Sequence, residues 1–251
     1  MDDNDTHSIF QSAFRARRSI NMLDADTINQ ILEDVAKTTE SRIHYLLSEN
    51  EKDLQLFDKE DPKYDRLMLT EDRIRGIIGD IRNVIKLESP VDKFTESYTR
   101  PNGMIIRRKT VPFGVVGVIY ESRPNVSFDV FSLCLKTKNV CLLKGSSDAK
   151  FSNNAIVGII RDVLEEHGLD IHICSLLPSS REATADLMKA TEYVDLIIPR
   201  GGQGLIKFVR ENSRVPIIET GAGVCHTYFD KDGDLEKGKR IVFNAKTRRV
   251  S

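Results

Sequence analysis

The chain has no tryptophan, only four cysteines, and no cysteine pair at C-x-x-C spacing among its 251 residues. A disulfide scaffold needs denser and better paired cysteines, so Cys134, Cys141, Cys174 and Cys225 read as reduced thiols. An excess of one charge is missing too, since 37 Lys and Arg stand against 38 Asp and Glu for a formal net charge of −1. No global basic field is there to gather nucleic acid or an anionic membrane. No apolar run nears the roughly 20 residues of a membrane-spanning helix, and the N-terminal MDDNDTHSIF is acidic where a signal peptide is basic. These absences predict a cytoplasmic globular protein with neither membrane nor nucleic-acid partner. His7, His44, His167, His172 and His226 show no ligand spacing among themselves, and Cys225 and His226 are adjacent, so no metal site is expected.

Glycine and proline are scarce over residues 1–100, which hold only Gly76, Gly79, Pro62 and Pro90; the other 13 Gly and 6 Pro follow. The shift places a boundary near Pro101. Before it the apolar period is helical: Ile28, Ile31, Leu32 and Val35 form one stripe, and Ile74, Ile77, Ile78, Ile81, Val84 and Ile85 another. Thr70 followed by Glu71 and Asp72 reads as a helix start, with acids where the helix dipole favours them. Residues 1–100 are therefore predicted to be a helical region packed on a core, 101–111 an extended arm containing MIIRRKTV, and 112–251 an α/β core.

In that core the β-branched runs VVGVIY (115–120), VCLLK (140–144), ICSLL (173–177), VDLIIP (194–199) and VPIIE (215–219) are short and continuous, as in parallel strands covered on both faces. Helical segments alternate with them, the clearest being 151–167, with Gly168 as its C-cap. The pattern predicts a Rossmann-type, doubly wound parallel sheet, whose ligand crevice lies at the carboxyl ends of the strands. Those ends carry ESRPN (121–125), KGSSD (144–148), PSS (178–180), PRGGQG (199–204) and ETGAG (219–223), rich in groups that meet phosphate. Each junction alone also suits an ordinary turn; their joint placement at one sheet edge points to a phosphorylated cofactor. Two familiar phosphate motifs are absent, because no G-x-x-x-x-G-K-[ST] occurs and RGGQGL (200–205) lacks G-x-G-x-x-G spacing.

Taken together, PFGVVGVIYESRPNV (112–126), SLCLKTKNVCLLKGSS (132–147), VDLIIPRGGQGLIKFV (194–209), PIIETGAGVCHTYFD (216–230) and NAKTRR (244–249) resemble the gamma-glutamyl phosphate reductases. These form a branch of the aldehyde dehydrogenase superfamily, and KYDRLMLTEDRI (63–74) resembles their helical N-terminal region. The resemblance implies an aldehyde-dehydrogenase-like fold and an NADPH-dependent oxidoreductase that converts L-glutamyl 5-phosphate into L-glutamate 5-semialdehyde with release of phosphate, the second step of proline biosynthesis. In that chemistry a cysteine thiolate displaces phosphate and the thioester is then reduced, which divides one hard step into two.

Carried onto this sequence, the family's cofactor-binding positions are Lys144, Ser146, Ser147, Pro199, Arg200, Gly201, Gly202, Glu219, Thr220 and Gly221. Ser147 stands where NAD-preferring relatives often carry an acid, and a neutral hydroxyl tolerates the 2′-phosphate of NADP. Glu219 matches a glutamate beside the nicotinamide, with its catalytic role open. Asn125 or Arg123 falls near the superfamily's oxyanion asparagine: the first would donate N–H to a developing oxyanion, the second would hold an acyl phosphate. The family's nucleophilic cysteine follows the NAKT-x-R segment and is expected just beyond Ser251. Cys225 belongs to a different segment, and Cys134 and Cys141 lie in apolar runs. The alternatives are a non-catalytic NADP-binding module, or another acylating aldehyde dehydrogenase. The superfamily's habit of association makes a homo-oligomer the expected state of the longer protein.

Overall fold

Four side-chain caps start the N-terminal helices, one of them Asp61, which accepts the Lys63 amide at 2.8 Å. Asp5 accepts the His7 amide at 3.2 Å, Asp24 the Thr27 amide at 2.7 Å, and Thr70 the Arg73 amide at 3.2 Å. The computed structural model describes residues 5–221 and 226–247. Its first five helices are α1 (Thr6–Asn21), α2 (Ala25–Ser41), α3 (Ile43–Leu54), α4 (Pro62–Leu67) and α5 (Glu71–Lys86). The stripes Ile28, Ile31, Leu32, Val35 and Ile74, Ile77, Ile78, Ile81 are buried, as their spacing requires. No helix among the described residues is long and apolar enough to cross a membrane.

Two antiparallel strands follow, β1 (Phe94–Thr99) and β2 (Ile105–Lys109), with Tyr98 opposite Ile106. The extended segment expected over 101–111 is the turn and second strand of this hairpin, which begins at Phe94. Almost every residue of both strands is exposed.

Strand and helix then alternate through β3 (Val115–Tyr120), α6 (Asn125–Lys136), β4 (Val140–Lys144), α7 (Lys150–Glu166), β5 (Cys174–Leu176), α8 (Arg181–Lys189), β6 (Leu196–Arg200) and α9 (Gln203–Asn212). The sheet is wholly parallel, in the order β5-β4-β3-β6. Every residue of β3 and β4 is buried, so both sheet faces are covered. Helices α2, α3 and α5 form an outer layer over α6 and α7, while α1 packs on β3, β4 and β5. Gly168, at φ +67°, ends α7 by adopting a backbone conformation that side chains disfavour.

One expected strand is reduced to a single contact. VPIIE (215–219) meets the sheet only at Ile217 beside Ile197, through Ile197 N–H to the Pro216 carbonyl at 2.8 Å and Ile218 N–H to the Ile197 carbonyl at 3.0 Å. The next donor in that register is residue 199 and the preceding one residue 216; both are prolines, so the ladder stops in each direction.

The chain divides into two compact units, residues 1–219 and 220–251. In the second, Tyr228 donates to the Asp230 carboxylate at 3.0 Å and α10 (Leu235–Thr247) is capped by Asp234, which accepts the Lys237 amide at 3.0 Å. The NAKT segment (244–247) closes α10.

Candidate functional site

A parallel sheet delivers all its carboxyl ends to one edge, and the order reversal around β3 opens a crevice there. Lys144 closes β4 and is 6% exposed. Its Nζ donates to the carbonyls of Gly145 at 3.0 Å and Ser179 at 3.2 Å, and no carboxylate pairs with it among the described residues. Burial pushes this ammonium below its usual pKa. Beside it, Ser146 Oγ accepts the Asp148 amide at 3.2 Å and Ser147 is exposed. The Asp148 carboxylate is engaged by Ser122 Oγ at 2.6 Å, which ties the β4 loop to the β3 loop.

The N-terminus of α7 is already satisfied. Fully buried Asp53, on α3, accepts the amides of Phe151 at 3.0 Å and Ser152 at 2.8 Å, and Ser152 Oγ at 2.6 Å. At the end of β3, Asn125 opens α6 and donates from Nδ2 to Asp129 Oδ2 at 3.2 Å. Burial, reinforced by Asp80, lifts the Asp129 carboxyl above its usual range. Arg123, the other residue read near this position, is exposed, and its amide donates to the Glu121 carbonyl at 2.6 Å.

At β6, Pro199 is buried and Arg200 exposed. Gly202 caps α9, and its amide donates to Glu121 Oε2 at 3.1 Å. A Cβ on Gly201 would lie 2.7 Å from Glu121 Cδ, so glycine is what lets that carboxylate reach the helix end. Glu219 accepts Arg210 Nη1 on Oε1 at 2.9 Å, while its Oε2 is buried with no hydrogen-bond partner. Thr220 and Gly221 are exposed.

No protein-family model matches the chain. It is 59% identical over 242 residues to a gamma-glutamyl phosphate reductase of Bacteroides thetaiotaomicron, covering 96% of this chain and 58% of the relative. Against the Bacteroides fragilis enzyme of that name it is 57% identical over 251 residues, 100% of this chain and 60% of the relative. The chain is thus similar to gamma-glutamyl phosphate reductases along nearly its whole length. It spans about three fifths of the length of the curated relatives it matches. A solved gamma-glutamyl phosphate reductase from Thermotoga maritima superposes with a TM-score of 0.87 at 35% identity, over 97% of this chain and 60% of that one. A probable aldehyde dehydrogenase from Listeria monocytogenes, at 16% identity over 87% of this chain and 46% of its own, shares the fold with a TM-score of 0.68.

The first unit thus brings Lys144, Ser146, Ser147, Asn125, Pro199, Arg200, Gly201 and Gly202 to the strand ends, loops and helix starts along one sheet edge. Glu121, Asp53, Asp129 and Ser179 are partners that the sequence did not single out as site residues, although Ser179 stood in the PSS junction (178–180). Glu121 stood inside ESRPN and carried a signal as the acid beside the arginine; Asp53 and Asp129 sit within helices and carried none. Cys134, Cys141 and Cys174 are free and buried. The thiol contacts of Cys134 and Cys174, together with burial, raise the Cys141 thiol well above its usual range, so it is no poised nucleophile. Cys225 lies outside the described residues, as do Arg248 and Arg249.

Proposed function

We propose that this chain is the NADP-binding part of a cytoplasmic gamma-glutamyl phosphate reductase, whose longer protein reduces L-glutamyl 5-phosphate to L-glutamate 5-semialdehyde and releases phosphate in proline biosynthesis. The 59% identity to such an enzyme across 96% of this chain carries the reading. The Lys144 site fits the phosphate-bearing cofactor, because a buried ammonium without a carboxylate has a desolvation cost that a ribose oxygen or phosphate offsets. When bound, the nicotinamide supplies the hydride.

Lys144 anchors the ribose, Ser146 and Ser147 border its phosphate, and Pro199 with Arg200 flanks the approach to α9. Gly201 and Gly202 permit close backbone contact with the pyrophosphate, which requires Glu121 to withdraw from the Gly202 amide. Asp148, held by Ser122, leaves Ser147 as the neutral neighbour of a 2′-phosphate, which favours NADP over NAD. Glu219, fixed by Arg210, contributes its unpartnered Oε2 to the nicotinamide end, with Thr220 and Gly221 following in the chain. Asn125, oriented by Asp129, donates its second N–H to the developing oxyanion. The nucleophilic thiol is assigned to sequence beyond Ser251, and the longer protein to a homo-oligomer.

The test is phosphate-dependent reduction of NADP+ by glutamate 5-semialdehyde, using the longer protein. Turnover that ignores phosphate would sink the acyl-phosphate reading. A second reading, a dinucleotide-binding module without catalysis, is favoured by the burial of all three described cysteines. It applies to the 251-residue chain alone, which should bind NADPH more tightly than NADH in a fluorescence titration without turning over.

A further inference from the structure

Two helices at the crevice edge, α7 and α9, begin after residues that carry no capping side chain, Ala149 and Gly202, and each draws a carboxylate from far away in the chain. The two carboxylates are held differently. Asp53 is fully buried and accepts two amides and a hydroxyl, so withdrawing it would strand all three donors away from water. Glu121 and Gly202 are both exposed, so water can take over each end of their 3.1 Å hydrogen bond when it opens. Asp53 is a fixed part of the fold, whereas Glu121 is exchangeable.

Glu121 also fills the space that Gly201 and Gly202 leave open. A Cβ on Gly201 would stand 2.7 Å from Glu121 Cδ and 2.9 Å from its Cγ, and one on Gly202 would meet the two carboxylate oxygens at 3.7 and 3.8 Å. The backbone puts the side chain there. Tyr120 is in register with Arg200, and the Glu121 amide carries the pairing one step further, to the Arg200 carbonyl at 3.3 Å, so the end of β3 is fixed beside the start of α9. The free amides and dipole of a helix start attract any anion, and the carboxylate occupies the position a second anion would need.

We propose that Glu121 is a tethered competitor of the cofactor: it closes the α9 terminus in the ligand-free chain, stabilises the helix there, and lowers the affinity for every ligand that brings a pyrophosphate to Gly201 and Gly202. This rests on the reading of α9 as the pyrophosphate-binding helix. A charged group of ordinary strength at a helix start leaves that terminus open for roughly a sixth to a third of the time, and the apparent affinity of a ligand falls by the same fraction. Repulsion between the displaced carboxylate and the bound pyrophosphate adds to the effect. Removing Glu121 therefore has two consequences of opposite sign, a weaker helix start and a tighter ligand.

The experiment uses the 251-residue chain and three variants: Glu121→Gln, which keeps an acceptor oxygen and loses the charge; Glu121→Ala, which loses both; and Glu192→Gln, a control at an exposed acid that precedes β6, at the other end of that strand. Each is titrated with NADPH by fluorescence and with inorganic pyrophosphate by calorimetry, and each is melted without ligand. Both Glu121 variants should bind both probes about threefold to tenfold more tightly than wild type, while the ligand-free melting temperature falls, more for Glu121→Ala than for Glu121→Gln. Glu192→Gln should change neither probe's affinity. A Glu121 with only a structural role would lower affinity together with stability. Unchanged or weaker binding of both probes in both Glu121 variants overturns the proposal and, where wild type still binds NADPH, leaves the cofactor reading standing. An equal gain in Glu192→Gln would assign the effect to net charge and overturn it as well. Tighter pyrophosphate binding without any NADPH binding supports the competitor and overturns the cofactor reading, whereas a chain that binds neither probe, with or without Glu121, overturns both.

Discussion

In the N-terminal helices cations meet carboxylates: Arg82 reaches Glu33 at 3.1 Å and Arg75 reaches Glu71 at 2.8 Å, while the His167 imidazole, just past α7, meets Asp34 of α2 at 3.1 Å. Lys144 and Lys150 at the carboxyl edge of the sheet, and Arg161 farther along α7, have no such partner among the described residues. The difference separates two uses of charge. Paired ions on a wet helical surface fix orientation at little net gain, whereas an unpaired cation in a cleft keeps a solvation cost that only a ligand offsets. Lys136 is the control inside the same unit. It is buried like Lys144, and its pKa is also lowered by burial, yet its Nζ is held by Asn29 Oδ1 at 2.6 Å and the Ile85 carbonyl at 2.9 Å, from two different helices. Both lysines donate to two neutral acceptors; Lys144 differs in closing a strand, with its acceptors, the Gly145 and Ser179 carbonyls, on loops at the crevice rather than on packed helices.

The most damaging way to break this contrast is to remove the core beneath both regions. Phe131→Ala, at a fully buried ring, should cost about 3–5 kcal/mol in urea unfolding, and a cost under about 1 kcal/mol would contradict its burial. Asp53→Ala comes next, since it strands two amides and a hydroxyl at the start of α7; about 1–3 kcal/mol should be lost. Because Asp53 joins the helical layer to the Lys144 loop, dinucleotide affinity should fall as well. Lys144→Ala sharpens the comparison. NADPH binding should weaken by about 1.5–3 kcal/mol while unfolding free energy changes by under about 1 kcal/mol, and unchanged affinity would remove Lys144 from the site.

A pH measurement probes the same residue. Burial places the Lys144 ammonium's folded-state pKa below 10.5, so between those values the unfolded chain binds more proton than the folded one. This contribution to stability therefore rises as pH rises toward 10.5. Wild-type stability measured against Lys144→Ala should show that rise, and two parallel curves would show that the lysine is solvated after all. The smallest effect is expected at the paired surface: Arg82→Ala should change stability by about 1 kcal/mol or less, and that change should shrink with added salt.

Helices, strands and the crevice edge were readable because they depend on local pattern. The apolar stripe of α5 and its Thr70 cap needed only residues a few positions apart, and so did the end of α7 at Gly168. VPIIE carried the same β-branched signal as the true strands and failed, because whether a run becomes a strand depends on its neighbour's donors, and here prolines stand at both decisive positions. The candidate site was legible as a set of loops, since glycine, serine and basic residues cluster where strands stop. Its internal wiring was not: Glu121 on the Gly202 amide and Asp53 on α7 each join residues some 80 to 100 positions apart.

The order of amino acids alone determined the amphipathic helices, the four strands of the parallel sheet and which family motifs stand at its carboxyl edge, because each follows from periodicity or from short contiguous strings; it did not determine the fate of VPIIE. Tertiary structure alone decided which charges are paired. Asp148 was drawn to Ser122 and Glu121 to the α9 terminus, while Lys144 was left with two carbonyls and no carboxylate, and Lys150 and Arg161 facing a cleft without an acid. Electrostatic pairing depends on distances of a few ångströms between residues far apart in the chain, and only the folded backbone sets those distances.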